Sequence, residues 1–184
     1  MKITNFILFQ LAWFVAILSA AKGIVYVGVL YTVIWMVLHL LLMTETQNAE
    51  IKSLLFAAFI GYMLDSILVV TGVIIFPEHT ALGGPSPFWM VCLWVNLTMT
   101  INLSLSWLKG RYVLAGAMAA IAGPLAYVGG EKLGAITLFG NISMLIISIM
   151  WCFAMPLLIW VSEIFTRQQL FQKQIIPLRM GKNK

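Results

Sequence analysis

The chain has 184 residues, of which 62% are hydrophobic and 9% are charged, and its formal net charge is +5. Soluble domains carry roughly 25% charged residues, so this composition excludes a chain whose surface faces water. The basic residues are scattered or lie at the C-terminus, which argues against nucleic acid as a partner. We therefore predict an all-α integral membrane protein that forms one compact helical bundle.

The first two hydrophobic segments are predicted to form a pair of antiparallel helices. The first spans residues 5–20 and is preceded by Lys2. A basic start, an apolar middle and small residues at the end also describe a cleavable signal peptide. Because Gln10 and Trp13 interrupt the apolar middle, we expect a retained helix. The second segment spans residues 24–43, and the turn before it is so short that the two helices must be neighbours.

The later segments bring the predicted number of transmembrane helices to about six. The third covers residues 53–76, and the fifth covers residues 112–128. The hydrophobic stretch that follows is too long for one span of about 20 residues, so we place a break near residue 140 and a sixth helix at residues 142–165. The predicted domains are a transmembrane helical bundle at residues 1–165 and a basic cytoplasmic tail at residues 166–184.

The fourth segment, residues 87–109, alternates polar and apolar residues almost strictly. Its polar residues are Asn96, Thr98, Thr100, Asn102, Ser104 and Ser106. A strand is excluded, because an isolated strand cannot satisfy its backbone in lipid. On a helix these residues fall on two opposite faces, and neither face can lie against hydrocarbon at low cost. We therefore predict a fourth helix at the centre of the bundle, bracketed at the interfaces by Trp89 and Trp107, about 27 Å apart.

The distribution of basic residues predicts the orientation of the bundle. With six spans, nine Lys and Arg residues fall on one side and two on the other, which accounts for all 11. The larger group is Lys2, Lys52, Lys109, Arg111, Arg167, Lys173, Arg179, Lys182 and Lys184, and the smaller group is Lys22 and Lys132. The positive-inside rule places the larger group and both termini in the cytoplasm.

Asp65 lies inside a predicted span, where a charged carboxylate costs roughly 3 kcal/mol. We expect it to be protonated, paired or hydrogen-bonded. Asn96 is predicted at a similar depth, and Gln10, His39 and Asn102 lie toward the cytoplasmic half. These five side chains are candidates for a polar cavity that opens to the inner leaflet. The alternative is that they form interhelical hydrogen bonds, as polar side chains do in many membrane bundles.

The outer loops carry a second set of candidates. Glu78 and His79 are adjacent in a loop rich in proline and glycine, and Glu131 lies in the next outer turn. An adjacent Glu and His could act as an acid–base pair, although neighbouring loop residues usually point apart. Glu163 and Arg167 are spaced to form an ion pair on one helix face. No metal-binding or nucleotide-binding motif is present, so we predict no metal site and no cofactor.

Several stretches are typical of one membrane-protein family. They are NFILFQLAWFVAIL, Asp65, PFWMVCLWVNLTMTINLSLSWL, AGPLAYVGGEKLGA, and the pair Trp151 and Pro156. Over nearly the whole chain, the sequence resembles the domain-of-unknown-function 2878 family of bacterial inner-membrane proteins. The resemblance implies a location in the bacterial inner (cytoplasmic) membrane, but it implies no reaction and carries over no catalytic residues. Its members tend to be encoded near cyclopropane-fatty-acid-synthase-like methyltransferases and flavin-dependent oxidases, which implies work on membrane lipids.

Three functions fit these features. The first is support of fatty-acyl modification through the candidate cavity, with membrane lipids and a cytoplasmic lipid-modifying enzyme as partners. The basic tail would then hold anionic headgroups or that enzyme. The second is a proton-coupled small-molecule transporter that uses Asp65, although the chain has no internal repeat. The third is a structural or assembly subunit without a ligand. The residues leave open whether the chain is itself an enzyme and whether it forms oligomers.

Overall fold

A computed structural model of the protein describes residues 1–181, with side chains described up to residue 175. The helices in this part are α1 (Lys2–Ala21), α2 (Val25–Leu42), α3 (Gln47–Val70), α4 (Phe88–Ile101), α5 (Tyr112–Lys132) and α6 (Gly140–Gly181). Two short strands, β1 (Ile74–Ile75) and β2 (Thr137–Leu138), pair antiparallel. All of these helices except α4 are long and apolar enough to cross a membrane, which confirms the predicted all-α membrane bundle. The basic side chains of Arg179, Lys182 and Lys184 lie outside the described part of the chain.

The fourth helix occupies the centre of the bundle, as its polar pattern predicts. α4 packs against α1, α2 and α3, and more lightly against α6. Around it, the other helices contact one another in the order α1, α2, α3, α6 and α5. The contact between α5 and α6 is the most extensive of all, whereas α5 makes few contacts with α1. The ring of helices around α4 is therefore open between α5 and α1.

Hydrogen bonds inside the bundle explain why this polar helix tolerates a central position. Asn96 is fully buried, and its Nδ2 donates to the backbone oxygen of Phe9 in α1 at 2.9 Å. The hydroxyl groups of Thr98 and Thr100 are also buried, and each donates to a backbone oxygen of α4 itself. Each of these side chains therefore donates a hydrogen bond inside the bundle and avoids contact with lipid, where an unpaired donor is costly.

The length predicted for the fourth helix is wrong. α4 has 14 residues, about 21 Å at the helical rise, and ends before the predicted boundary at Trp107. The chain continues through turns and the short 3₁₀-helix Ser106–Leu108. Asn102 leaves the helix and bonds Glu50, and Ser104 donates to Oδ1 of Asn5 at 2.7 Å. Asn and Ser side chains compete with the helix for hydrogen bonds, which hydropathy alone does not register.

Three other predicted boundaries are wrong for a related reason. α3 ends at Val70, where Thr71 and Gly72, with φ of 71°, turn the chain toward β1. α5 continues through the turn predicted at residues 129–132, and α6 continues past residue 165. Hydropathy marks where a chain leaves hydrocarbon, but a helix can end before that depth, as α3 does, or extend beyond it, as α5 and α6 do. Residues 140–181 consequently form one helix across the predicted boundary between bundle and tail.

The two sides of the bundle are closed by different contacts. On one side β1 pairs with β2, and the hydroxyl of Ser143 donates to the backbone oxygen of Val73 at 2.7 Å. On the other side lie Met1 and the C-terminal end of α6, and we call this the inner side. There Oε1 of Gln169 in the α6 extension accepts a 2.6 Å hydrogen bond from the backbone nitrogen of Ala49. Lys173 also pairs with Glu45 at 2.9 Å, so the start of the predicted tail is tied to the α2–α3 turn.

Candidate functional site

The open seam between α1 and α5 contains a cleft of about 550 Å³. α4 forms its floor, and α6 contributes Trp151 and Met155 to its far wall. Nearly all of its lining is apolar, and Gln10 is the one side chain with an amide group. Ligand pockets in proteins have volumes of about 300–1,000 Å³, so this cleft is large enough to hold a small molecule or part of a lipid.

The small residues of α5 create the space in the cleft. Ala115, Ala119, Ala122, Gly123 and Ala126 all line it, and they recur at the three- and four-residue spacing of one helix face. Such a stripe lets a neighbouring helix pack closely in many membrane proteins. Here that face is not covered by α1, and the volume that larger side chains would fill remains free.

The cleft opens sideways, toward the position that lipid occupies. The side chains at its mouth are exposed in the bundle: Gln10, Phe14, Met118, Ala122 and Leu125. Its outer end is closed by buried side chains, including Trp89 and Ile136, which are 1% and 4% exposed. Trp13 of α1 also closes against α5 there, since a Cβ at Gly129 would lie 3.1 Å from its ring. Access from the outer surface is therefore blocked, whereas access from the membrane is not.

A buried carboxyl group stands behind the wall of the cleft. Asp65 is fully buried, its Oδ2 accepts a 2.7 Å hydrogen bond from Nε1 of Trp94, and its Oδ1 accepts one from the hydroxyl of Tyr127. Trp94 stacks on Trp151 with a ring separation of 4.4 Å and an interplanar angle of 8°. Trp94, Tyr127 and Trp151 line the cleft, but Asp65 does not. Asp65 thus fixes the orientation of polar aromatic side chains that face the cleft.

A glycine lets this aromatic wall pack against α3. A Cβ at Gly61, one turn before Asp65, would fall 2.2 Å from the indole of Trp94. Real Cβ atoms do not approach other atoms so closely, so only glycine allows the ring to lie flat on α3 at this depth. The position of the indole, and with it the bond to Asp65, depends on this glycine.

A second polar cluster lies at the inner side and is centred on Glu50. Its Oε1 accepts a hydrogen bond from Nδ2 of Asn102, and its Oε2 lies 3.3 Å from Nε2 of His39. Nδ2 of Asn102 also lies 3.0 Å from the hydroxyl of Ser162. Glu50 and His39 are both fully buried. The cluster joins the end of α2, the first turn of α3 and the middle of α6 to Asn102, the residue that follows α4.

Our sequence reasoning missed Glu50, because it lies before the predicted start of the third segment at residue 53. The structure puts it in the first turn of α3, on the same face as Gly61 and Asp65. Steps of three and four residues back from Asp65 pass through Gly61, Ala57 and Leu54 to Glu50, and all of these are buried. This periodicity was present in the sequence and could have identified the residue.

Glu163 organises the inner turn between α4 and α5. Its carboxylate accepts hydrogen bonds from the backbone nitrogen of Gly110 at 3.0 Å and from the hydroxyl of Tyr112 at 3.2 Å. The predicted pair with Arg167 is present at 3.2 Å. Partial burial lowers the pKa of the nearby Lys109 below its usual 10.5, while Glu50 and Glu163 oppose that shift. These contacts hold the turn in place, and Glu163 does not line the cleft.

The residues predicted to form one polar cavity lie in different places. His39 and Asn102 meet at Glu50, Asp65 lies behind the cleft, and Asn96 bonds the backbone of α1. Gln10 lines the cleft at its mouth. The described residues therefore do not form a single polar cavity that contains all five predicted side chains, because helix packing places these side chains on different faces.

The outer-loop candidates are also separate from the cleft. Glu78 and His79 are exposed in the short 3₁₀-helix Glu78–Thr80. Oε1 of Glu131 accepts a 2.8 Å hydrogen bond from the backbone nitrogen of Leu138, which anchors β2. Within the described residues, no group of three or more His, Cys, Asp and Glu side chains lies close enough together to hold a metal ion.

Comparison with known proteins gives a family but no activity. Residues 2–157 match the family model described as "Protein of unknown function (DUF2878)". No curated protein matches the chain, and no solved structure matches it.

Proposed function

Because the chain belongs to the DUF2878 family of proteins of unknown function, we propose its activity from the geometry of the cleft. The protein binds a fatty-acyl chain of a membrane lipid between α1 and α5, and it does so in support of modification of that chain. The observation that carries this proposal is the open seam between these helices, which leaves an apolar cleft of about 550 Å³ facing the membrane.

The chemistry of the lining supports a hydrocarbon ligand. Aromatic and aliphatic side chains and small α5 residues surround the space, and no charged side chain lines it. An apolar ligand entering from lipid loses no hydration, so its binding depends on close contact with the walls. A straight chain that lies along α5 would touch the small residues that follow one another on its cleft-facing side.

The closed outer end supports lipid binding over transport. A transporter needs alternating access to its site from both sides of the membrane. Trp89 and Ile136 close the cleft at its outer end. Both carboxyl oxygens of Asp65 also accept hydrogen bonds from the cleft wall, which suits a fixed structural acceptor better than a proton carrier.

Partners of the protein are proposed from its charge distribution. The described basic residues of the larger group lie at the inner side, and Lys52 and Arg167 are among those exposed there. Each basic residue near an anionic membrane surface contributes about 1 kcal/mol to binding. The same surface would receive a cytoplasmic lipid-modifying enzyme in a bacterial inner membrane, whereas the bound chain stays in the cleft.

A photoreactive fatty acid tests the proposed binding. Ala122→Phe places a large ring at the mouth of the cleft, and Ala117→Phe makes the same change on the same helix at an exposed position away from the cleft. We expect the first change to reduce crosslinking of a diazirine-bearing fatty acid to the purified protein in nanodiscs by roughly tenfold. The second should leave crosslinking unchanged.

Lipid analysis of cells links this binding to function. Cells that carry Ala122→Phe at a normal protein level should show the same change in acyl-chain profile as cells that lack the protein. Equal crosslinking of both variants, or a crosslinked peptide that maps away from α1 and α5, would refute the binding site. A normal acyl-chain profile in cells that lack the protein would refute the role in lipid modification.

A further inference from the structure

The cleft is closed at its inner end as well as at its outer end. The turn after α4 contributes Leu105 and Leu108 to the lining there, and Leu108 is 3% exposed. This turn is tied to α1, because the hydroxyl of Ser104 donates to Oδ1 of Asn5 at 2.7 Å. Nδ2 of Asn5 in turn donates to the backbone oxygen of Met99 at 3.1 Å, and Asn5 is itself buried. The inner ends of α1 and α4 and the turn toward α5 therefore cover the cleft from the inner surface.

The mouth of the cleft lies about halfway across the membrane. On α5 its exposed side chains begin at Met118 and end at Leu125, about 9 Å and about 20 Å along a helix that starts at the inner side. On α1 they are Gln10 and Phe14, about 12 Å and about 18 Å from the inner start of that helix. A hydrocarbon core is about 30 Å thick, so its midplane lies about 15 Å from either surface. The mouth thus faces the depth at which the acyl chains of both leaflets end.

The enclosed space is taller than its mouth. The lining residues of α5 run from Ala115 to Gly130, an interval of about 22 Å at the helical rise, whereas the mouth spans about 11 Å from Met118 to Leu125. Buried side chains cover the space beyond both edges of the mouth, Leu108 at the inner end and Trp89 at the outer end. A chain that enters through the mouth can therefore continue inside, along the small residues of α5, while the rest of the molecule stays outside.

A lipid headgroup cannot follow the chain into this space. No charged side chain lines the cleft, and its one side chain with an amide group, Gln10, lies at the mouth. Burial of an unpaired phosphate or carboxylate in apolar surroundings costs far more than contact with the walls contributes. Because both ends are closed, a headgroup at either membrane surface also has no direct path into the cleft. Only a part of the chain that is remote from the headgroup reaches the mouth.

We propose that the cleft takes up the methyl-terminal part of a lipid acyl chain from the side, while the headgroup and the carboxyl end of that chain stay in the bilayer. This inference rests on the proposed binding of an acyl chain and names the part of the chain that is bound. A fully extended chain advances about 1.2 Å per backbone bond, so it reaches the middle of the mouth, at about 15 Å, after about 12 bonds. The ligand class is therefore a membrane lipid whose acyl chain is longer than about 12 carbons.

The position of a photoreactive group along the chain tests this inference. Two phospholipids carry the same palmitoyl chain with a diazirine near its carboxyl end in one and near its methyl end in the other, and each is crosslinked to the full-length protein in nanodiscs. We expect Ala122→Phe to reduce crosslinking of the methyl-end probe by roughly tenfold. Crosslinking of the carboxyl-end probe, which contacts the outside of the bundle, should fall by less than about twofold. Ala117→Phe, at an exposed position away from the cleft, should change neither.

Peptide mapping in the wild-type protein gives a readout that does not depend on a variant. The methyl-end probe should modify Trp13 of α1 and Ala119 of α5, which line the cleft, and the carboxyl-end probe should modify neither. Modification of these residues by the carboxyl-end probe would overturn the inference while leaving acyl-chain binding intact. An equal loss of crosslinking for both probes in Ala122→Phe would do the same. If crosslinking of neither probe depends on position 122, both this inference and the proposed function fail.

Discussion

Asp65 connects the helix that carries it to two helices that line the cleft. Its carboxyl group accepts hydrogen bonds from Trp94 in α4 and Tyr127 in α5, with every partner buried. In a membrane interior the partners cannot turn to water if the acceptor is removed. Asp65 therefore stabilises the fold by accepting hydrogen bonds from two buried donors rather than through its own charge.

Replacement of Asp65 should show this coupling directly. Asp65→Ala leaves two buried donors unpaired and should lower the free energy of unfolding by roughly 2–5 kcal/mol. Tyr127→Phe should cost about 1–2 kcal/mol in the wild-type protein and clearly less in the Asp65→Ala background, because its partner is already absent. Denaturant unfolding in detergent micelles gives the free energy of unfolding of the wild-type protein, the two single variants and the double variant. If Tyr127→Phe lowers the free energy of unfolding equally in the two backgrounds, the hydrogen bond between Tyr127 and Asp65 is contradicted.

The two acids at the ends of the α2–α3 turn differ sharply in environment. Glu50 is fully buried beside His39 and Asn102, whereas the side chain of Glu45 is 83% exposed and pairs with Lys173. Glu50→Ala should lower the free energy of unfolding by roughly 2–4 kcal/mol, because it leaves buried polar partners unsatisfied. Glu45→Ala should cost at most about 1 kcal/mol, as expected for a surface pair. Comparable losses of unfolding free energy in Glu50→Ala and Glu45→Ala would show that burial does not distinguish the two acids.

At the scale of elements, the small residues of α5 divide its surface into a packed face and an open face. Gly116 and Gly123, two turns apart on one face, pack against α6, where a Cβ would lie 2.6 Å from the backbone oxygen of Cys152 and 2.3 Å from the ring of Trp151. Ala122 and Ala126 line the cleft. The small residues thus bring two helices together on one side and leave an empty volume on the other. Whether a face of α5 packs closely or borders the cleft depends on the neighbouring helix rather than on α5 itself.

Single alanine substitutions in α5 should separate these roles. Gly116→Ala inserts a methyl group against backbone that cannot move aside, so we expect a loss of about 1–3 kcal/mol from overpacking. Gly130→Ala meets only flexible side chains, Ile136 at 3.4 Å and Ile17 at 3.8 Å, and should be neutral or stabilise by up to about 1 kcal/mol. Thermal unfolding of both purified variants tests the contrast. A stable Gly116→Ala protein would mean that α5 and α6 can separate without cost.

At the scale of the whole molecule, the bundle combines a tightly closed outer end with an opening toward the membrane. The paired strands and the buried side chains around Trp89 close the outer end. The seam between α1 and α5 leaves the side open. In this shape the cleft opens toward the bilayer rather than toward the outer solution. The α6 extension bonds the backbone of Ala49 and the side chain of Glu45, which ties it to the region of the α2–α3 turn at the inner side.

The orientation of this bundle in the membrane can be tested with single cysteines. In a protein whose Cys92 and Cys152 are replaced by alanine, Lys22→Cys and Lys52→Cys place exposed thiols at opposite ends of the bundle. The positive-inside rule predicts that an impermeant maleimide labels position 22 in intact cells and position 52 only after permeabilisation. The reverse pattern would invert the predicted orientation of the protein, and labelling of both positions in intact cells would contradict the bundle.

The sequence by itself determined the membrane bundle and the central place of its fourth helix. Both follow from the solvation of single side chains: apolar segments enter lipid, whereas the amides and hydroxyls around Asn96 must avoid it. It also identified Asp65 as a buried acid that needs partners. These properties depend on local composition, so periodicity and hydropathy suffice to predict them.

Only the tertiary structure decided where the helices end, which polar groups meet, and where a cavity remains. Glu50 joins His39 and Asn102 because three chain segments converge at the inner side, and Asp65 meets Trp94 and Tyr127 across two helix interfaces. The cleft exists because α1 leaves the small face of α5 uncovered. Such contacts depend on how whole helices pack, and no residue pattern within one segment contains that information.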